Sequence, residues 1–516
     1  MADPLGLASG VVRLVALWMG AIVAFMLLAT ANSGGYRFGV GDQAFYIPAI
    51  LDALQPELFP RDGLVFGPQA RLLPFDELTA SVMAITGLSL PAIFAALYVL
   101  TLILILAGAW GIGQALYGHA WSVVALAAAL TLRHAIARGA VNTLEGYAHP
   151  RMLVFGLGAV ALAACLRGHA RVALGLAIAS LVVHPTTAVF FVIWIGVAAA
   201  VDQAQMRRWL LLAAAVGAAI GVVVLVNPPS GAPRVMDHAW VAVFAGKSYV
   251  FPSEWPADVW LLHLAYPAVI LGLYRWRARL GVAVPRERGL VAGVLVLVGF
   301  CLLALPFVAA RFSFAVQVQP SRVFWMADLM ATVYLIWLAA ESPWVARFQA
   351  RGLAPMLVAA LLVLASAARA AYVMVVLHPE RRLVQADLPH TPWTEALGWI
   401  RAHRPADTHL LLDPRHAWTV GASGRVVAVR DVLLEDDTDT AMAFYSRDLA
   451  MRIAERRAAV GRFDALDEGR ALALARRYDL HYLVSSAALA LPVAFQSDGV
   501  RVYALQPPGS PTTPIP

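Results

Sequence analysis

Asp42 stands in the segment GDQAFYIPAIL, residues 41–51, directly after the first apolar run of the chain. A carboxylate there has two uses. Its oxygens can cap the helix that the next residues form, or they can take a proton from a bound group. Other polar and ionisable residues collect between apolar runs. RHAIARGAVNTLEGYAHPR, residues 133–151, carries Arg133, His134, Arg138, Asn142, Glu145, Tyr147, His149 and Arg151. His184 leads HPTTAVFF, Arg311 and Arg322 bracket FSFAVQVQP, and residues 227–257 add Arg234, Asp237, His238, Lys247 and Glu254. Taken singly, such residues read as helix caps and headgroup-level anchors. Taken together, the 133–151 and 227–257 segments are too polar for connectors, and with the first loop they predict one shared cavity.

The elements that must position these groups are membrane helices. The chain has 516 residues, 60% hydrophobic and 14% charged, with mean hydropathy +0.71. Soluble domains carry about 25% charge. The formal charge of +7 is almost all arginine, Lys247 being the one lysine, and gives no reason to expect a nucleic-acid partner. Cys165 and Cys301 both lie in apolar runs, which excludes a disulfide framework and a thiolate metal site. Arg13, the apolar stretch 14–28 and Ala29-Thr30-Ala31 have the outline of a signal peptide. The many apolar runs that follow favour an uncleaved first helix.

Spans are predicted at 14–31, 90–116, 119–133, 151–166, 171–184, 186–201, 208–226, 258–274, 289–310, 322–340 and 354–377, about eleven in all. With the N-terminus inside, Arg167, Arg171, Arg207, Arg208, Arg275, Arg277, Arg279, Arg286, Arg288, Arg347 and Arg351 fall on one side, as the positive-inside rule requires. The 32–80 loop, with Asp42, Asp52, Glu57, Asp62, Asp76 and Glu77 against Arg37, Arg61 and Arg71, falls on the other, and the C-terminus ends outside. The span interiors are nearly free of charge apart from His263, Asp328 and Arg369. Asp328 and Arg369 are expected to form a buried ion pair.

The fold class is therefore mainly α, a polytopic membrane protein of residues 1–377 whose first extracytoplasmic loop is 32–89. A small α/β domain follows at 378–516. There RAHRPADTHLLLDP, GRVVAVR, RYDLHYLVSS and VRVYALQ read as strands, with helices at 394–403 and 463–478. GASGR, 421–425, reads as a plain turn. In the first loop Asp42 is placed to cap a helix over 43–54 with apolar face Phe45, Ile47, Ile50, Leu51 and Leu54. PFDELTASVMAITGL begins a second amphipathic helix, so two helices are expected to lie in the membrane plane.

This layout resembles the GT-C superfamily, glycosyltransferases that use polyprenyl-phosphate-linked sugars. The sharp motif is Asp42-Gln43-Ala44-Phe45-Tyr46, which departs at Gln43 from the Asp-Glu or Asp-Asp of that superfamily. YIPAIL, PELFPRDGLV and HPTT are also similar to a poorly characterised bacterial group of such proteins. The resemblance implies Asp42 as catalytic base, Asp62 as reserve carboxylate, and Arg138, Arg151, Arg311 and Arg322 on the leaving phosphate with His184 helping. It implies a lipid-linked sugar donor, an envelope glycan, lipid or protein as acceptor, and a bacterial inner membrane with the active face extracytoplasmic. A divalent cation (Mg or Mn) shared by Asp42 and Asp62 is allowed, although Gln43 weakens that option.

Two other classes compete. A transporter or flippase of a lipid-linked precursor calls for midplane polar sites and repeated interrupted helices, and the sequence has few midplane charges and no repeat. A catalytically silent scaffold whose outer domain binds glycan or protein would make no use of Asp42. HExxH, Walker A, GxSxG and GxGxxG motifs are absent, no histidine pair has a metal-site spacing, and GIGQAL at 111–116 reads as helix packing.

Overall fold

A computed structural model describes residues 4–70, 74–228, 233–346 and 353–506. Arg71, Arg347 and Arg351, counted above for orientation, lie outside the described residues. Helices occupy each predicted span. Among the described residues, seven are long and apolar enough to cross a membrane: Leu90–Leu116, Pro185–Asp202, Met206–Val226, Ala257–Arg279, Glu287–Ala309, Ser313–Val345 and Leu353–Leu377. Trp18–Asn32, Ala120–Thr131, Pro150–Leu166 and Ala170–Val182 are shorter apolar helices. Proline sets two of the breaks. Pro185 begins a new helix after the 3-10 turn Ser180–Val182, so residues 171–201 form two helices. Gln319, at φ +50°, and Pro320 interrupt the Ser313–Val345 segment and leave Arg322 at the start of the helix Val323–Glu341.

Small residues let the central helices approach closely. A Cβ at Gly108 would stand 2.4 Å from the Ala159 Cβ, and one at Gly111 would stand 2.6 Å from the Ala163 Cβ. Pro150–Leu166 is thereby held deep in the bundle with its N-terminus at the mouth, where the polar loops gather.

The first loop departs from the expected pair of membrane-parallel helices. Gln43–Leu54 is buried on every side through Ile50 and packs against Phe75–Thr86 and the short helix Gly424–Ala428. Only Phe75–Thr86 keeps an outward apolar stripe, Leu78, Val82 and Ile85, with Phe75, Asp76, Thr79 and Ala80 turned inward. A further helix, Gly63–Ala70, lies between them in sequence.

After the last long helix, β2 (Val384–Gln385) pairs in parallel with β1 (Tyr36–Arg37) and ties the chain back to the end of the first helix. Strands β3 (His409–Leu411), β4 (Asp431–Val432), β5 (Tyr482–Ser485), β6 (Val493–Ser497) and β7 (Val500–Ala504) form a sheet of order β4-β3-β5-β7-β6. Its first three strands are parallel and its last two antiparallel, with helices on both faces. GRVVAVR is a helix here and not a strand. Ser423 caps it, and the Ser423 hydroxyl and Gly424 N–H donate to Glu435 at 2.7 and 2.5 Å. The GASGR donors thus hold the chain's own carboxylate. The helix Arg447–Val460 and strand β6 had no clear signal in the sequence pattern.

Charge locks this region to the first loop. Asp62 accepts from Arg425 Nε and Arg452 Nη2, both at 2.6 Å, and Arg425 also donates to Asp439 at 2.6 Å. Asp62, Arg425 and Asp439 are almost fully buried. Phe45, Ile50 and Phe59 share one apolar core with Val426, Leu434, Phe444 and Leu449 across the same contact. Both oxygens of Asp62 are therefore consumed in a sealed pair, which corrects the reserve-carboxylate expectation. Asp62→Asn removes the buried carboxylate that Arg425 and Arg452 share and is expected to cost about 3–5 kcal/mol. Thermal unfolding of the full chain in detergent measures it, and a loss below about 1 kcal/mol would remove Asp62 from this role.

Candidate active site

The turn Gly39–Gly41 delivers Asp42. Gly39 and Gly41 have φ of +80° and +57°, and a Cβ on Gly41 would lie within 2.8 Å of the Tyr147 hydroxyl, so this path admits no side chain. Asp42 precedes the helix Gln43–Leu54 but makes no side-chain capping bond to it. The capping expectation fails because the carboxylate turns the other way. Its Oδ2 accepts from His149 Nε2 at 2.6 Å and lies 3.1 Å from Arg151 Nη1. Oδ1 has no partner among the described residues, and the Asp42 side chain is 34% exposed.

His149 is fixed by the helix it begins. Its Nδ1 accepts from the Arg151 N–H at 3.1 Å as the cap of Pro150–Leu166, so its proton sits on Nε2, aimed at Asp42. Burial and the Arg151 charge push its pKa down against the pull of Asp42, which keeps the ring a neutral donor. His184 repeats the device on Pro185–Asp202: Nδ1 accepts from Thr187 N–H at 3.3 Å, which leaves an Nε2–H without a partner among the described residues. The two rings lie 6.2 Å apart. Burial, and then the charges of Arg322 and Arg151, hold His184 well below its ordinary pKa, so it too is neutral.

Burial pushes the Asp42 carboxyl up, but Arg151, the hydrogen bond from His149, and Arg322 outweigh it and hold the group well below the usual carboxylate range. Arg151 is clamped from its far side by Glu145 Oε1 at 2.5 Å. Arg322 shares this field with Tyr249 and Tyr445, and its Nε is buried without a hydrogen-bond partner among the described residues. Gln43 explains its departure from the resembled motif. It is fully buried, accepts from Gly39 N–H at 2.7 Å and donates to the Ala148 carbonyl at 2.9 Å. The amide staples the turn carrying Asp42 to the residue before His149, a task needing both a donor and an acceptor.

The structure thus brings Arg151, His184 and Arg322 to Asp42. Arg138 stands exposed at the tip of the 133–143 hairpin, and Arg311 is bound to Glu254 with its guanidinium 4.0 Å over Phe251. Neither bonds to the Asp42 cluster. The expected Asp328–Arg369 pair is replaced. Asp328 accepts from His134 Nδ1 at 2.9 Å, and Arg369 donates to Asn32 O and Oδ1, both at 2.8 Å, at the carbonyl end of the first helix. Burial lowers the His134 pKa, but the Asp328 bond and charge and the Ala129 carbonyl raise it further, giving a charged partner. His263 Nε2 bonds to the Ala137 carbonyl at 2.8 Å between aromatic rings, and its Nδ1 is buried without a partner among the described residues.

His149, Glu145 and Tyr147 were not singled out by motif. The signal was the repeated His-Pro at 149–150 and 184–185, where each proline starts a helix and each histidine caps it. A tightly held divalent cation does not fit this donor set. One oxygen of Asp42 is open, the other is already bonded, Arg151 fills the space toward Glu145, and Asp62 is sealed elsewhere.

No family model and no curated protein matches the chain. Solved structures do. The chain is similar to AglB, an archaeal oligosaccharyltransferase from Archaeoglobus fulgidus in complex with an inhibitory peptide and a dolichol-phosphate. That likeness has 12% identity and TM-score 0.40, and covers 90% of this chain and 69% of that one. It is also similar to the apo crystal structure of the Archaeoglobus fulgidus oligosaccharyltransferase, at 14% identity and TM-score 0.37 over the same shares.

An Asp42 pKa below the ordinary range adds stability above about pH 3.9, lost only as pH falls through the folded value. His149→Ala removes the bond at Oδ2, and the Asp42 carboxyl is expected to titrate higher. A carboxylate-selective NMR or infrared titration compares the two proteins, and identical curves would contradict the assignment.

Proposed function

We propose that this protein is a membrane glycosyltransferase that moves a sugar from a polyprenyl-phosphate-linked donor to an acceptor hydroxyl. The observation that carries the reading is one constellation: an ionised carboxylate with an open oxygen, an imidazole N–H, and a buried guanidinium whose Nε has no partner among the described residues. The acceptor hydroxyl donates to Asp42 Oδ1. The bond from its oxygen to the sugar anomeric carbon forms as the bond from that carbon to the donor phosphate breaks, and the hydroxyl proton passes to Oδ1. Arg322 and His184 Nε2–H take the charge that develops on the leaving phosphate.

The low pKa of Asp42 sets the timing. It is a weak base, present as carboxylate at every physiological pH, and it captures the proton late, once the acceptor oxygen is bonding to carbon and has become acidic. Arg151 and His149 hold the carboxylate in place and do not move protons. The arginine-rich loops favour an orientation with this site on the extracytoplasmic face of a bacterial inner membrane. About eleven spans, ending in an α/β region on that face, complete the proposed topology.

The test is transfer by the purified full chain in liposomes, with a panel of polyprenyl-phosphate-linked sugars as donors. Asp42→Asn is expected to lower turnover by about 10³-fold or more, and Arg322→Gln by about 10²–10³-fold. Asp42→Asn with wild-type turnover would sink the reading.

A further inference from the structure

Beside the Asp42 cluster lies a second concentration of positive charge that the transfer chemistry does not use. It forms where the first helix ends, the last long helix ends and the 133–151 segment begins. Arg369 is anchored on Asn32. Arg381 and His378 lie over Gly34, where a Cβ would stand 3.0 Å from Arg381 Nη1 and 3.3 Å from His378 Cδ2. Arg37 extends from β1, its N–H bonded to the Gly146 carbonyl at 2.8 Å, next to Tyr147. The charge of Arg133 reaches Arg37, Arg369 and His378.

The acid among them is Glu380, 3.3 Å from Arg381, 3.7 Å from His378 and itself 65% exposed. Four guanidiniums against one exposed carboxylate leave the cluster short of anions. Burial, then Arg381, lower the Arg37 guanidinium to about 10, with Arg133 adding to the effect. Plain snorkelling into headgroups does not describe Arg37, because its Nε is buried and has no hydrogen-bond partner among the described residues.

Two further observations identify what is missing. Tyr372, Val375, Val376 and Leu377, at the adjoining end of the last long helix, are exposed apolar residues, so the cluster borders membrane. Tyr147 stands between the cluster and the catalytic carboxylate. Its ring is 6.0 Å from that of His149, and its hydroxyl rests on Gly41. A ligand held here has an anionic group at the arginines, an apolar part in the bilayer and Asp42 one aromatic ring away.

We propose that this cluster binds the phosphate of an anionic membrane lipid, and that this lipid is the acceptor whose headgroup hydroxyl reaches Asp42. The inference rests on the transferase reading and names its acceptor. The headgroup oxygen bonds to the sugar anomeric carbon, its proton goes to Asp42 Oδ1, and the donor phosphate leaves with the electron pair of the broken bond.

The experiment uses the full chain in detergent and in liposomes, with phosphatidylglycerol as probe and phosphatidylcholine and inorganic phosphate as comparators. Phosphatidylglycerol is expected to raise the unfolding midpoint by several degrees, in the wild type and in Asp42→Asn alike. Arg37→Gln/Arg133→Gln/Arg381→Gln is expected to abolish that shift, and to raise the KM for phosphatidylglycerol at least tenfold with kcat within threefold. Arg37→Gln alone, which breaks no side-chain hydrogen bond, serves if the triple variant does not fold. An undiminished shift in the variants overturns the site, and an equal shift with inorganic phosphate overturns its lipid character. Sugar recovered on glycan or protein but never on lipid overturns the acceptor assignment while leaving the transferase reading intact. Lipid binding with no transfer from any donor overturns both.

Discussion

A carboxylate stays ionised among apolar helices only if fixed donors replace the water it has lost. Asp42 has such a donor in His149, whose own geometry is set by capping a helix. The N–H of Arg151 occupies Nδ1, and so the proton must lie on Nε2 and face Asp42. Arg151 then serves twice, through its backbone on the imidazole and through its guanidinium on the carboxylate. Because these bonds use one carboxylate oxygen, the other is left open with its charge intact. That asymmetry separates Asp42 from Asp62, whose two oxygens are both spent.

Much of the remaining architecture keeps this arrangement in register. The glycine turn before Asp42 crosses Tyr147 at a distance no side chain would allow, and Gln43 fastens the turn to the strand of chain entering His149. The helix after Asp42 is pinned between Phe75–Thr86 and the C-terminal region, which the Asp62–Arg425–Arg452 cluster locks in place. The break at Gln319–Pro320 brings Arg322 to the same mouth. Each of these is a local backbone or charge constraint, and together they gather side chains from four distant parts of the chain.

Helix positions were legible because apolar run length and proline punctuation act locally. Residues 90–116 were read with the observed bounds, and the interruption at His184-Pro185 was visible as a break. Asp42, Arg151, His184 and Arg322 were legible as polar residues at the ends of apolar runs. Partner choice was not. Asp328 and Arg369 look complementary in sequence, yet Asp328 meets a histidine from another loop and Arg369 a helix-terminal carbonyl. Likewise GRVVAVR has strand composition but follows a serine cap and a glycine that must sit against Leu412, and it folds as a helix. His149 was legible only as one polar residue of the 133–151 segment, because its role arises from a tautomer, which only the folded cap defines.

The central claim is that Asp42 Oδ1, Arg322 and His184 face one ligand that carries a lipid phosphate. The most direct measurement is an experimental structure of the full chain with bound polyprenyl phosphate. The expected result places phosphate oxygens within hydrogen-bond distance of the Arg322 guanidinium and His184 Nε2, on the side of Asp42 that bears Oδ1. A phosphate bound elsewhere, with Arg322 unengaged and Asp42 remote from the lipid head, would contradict it.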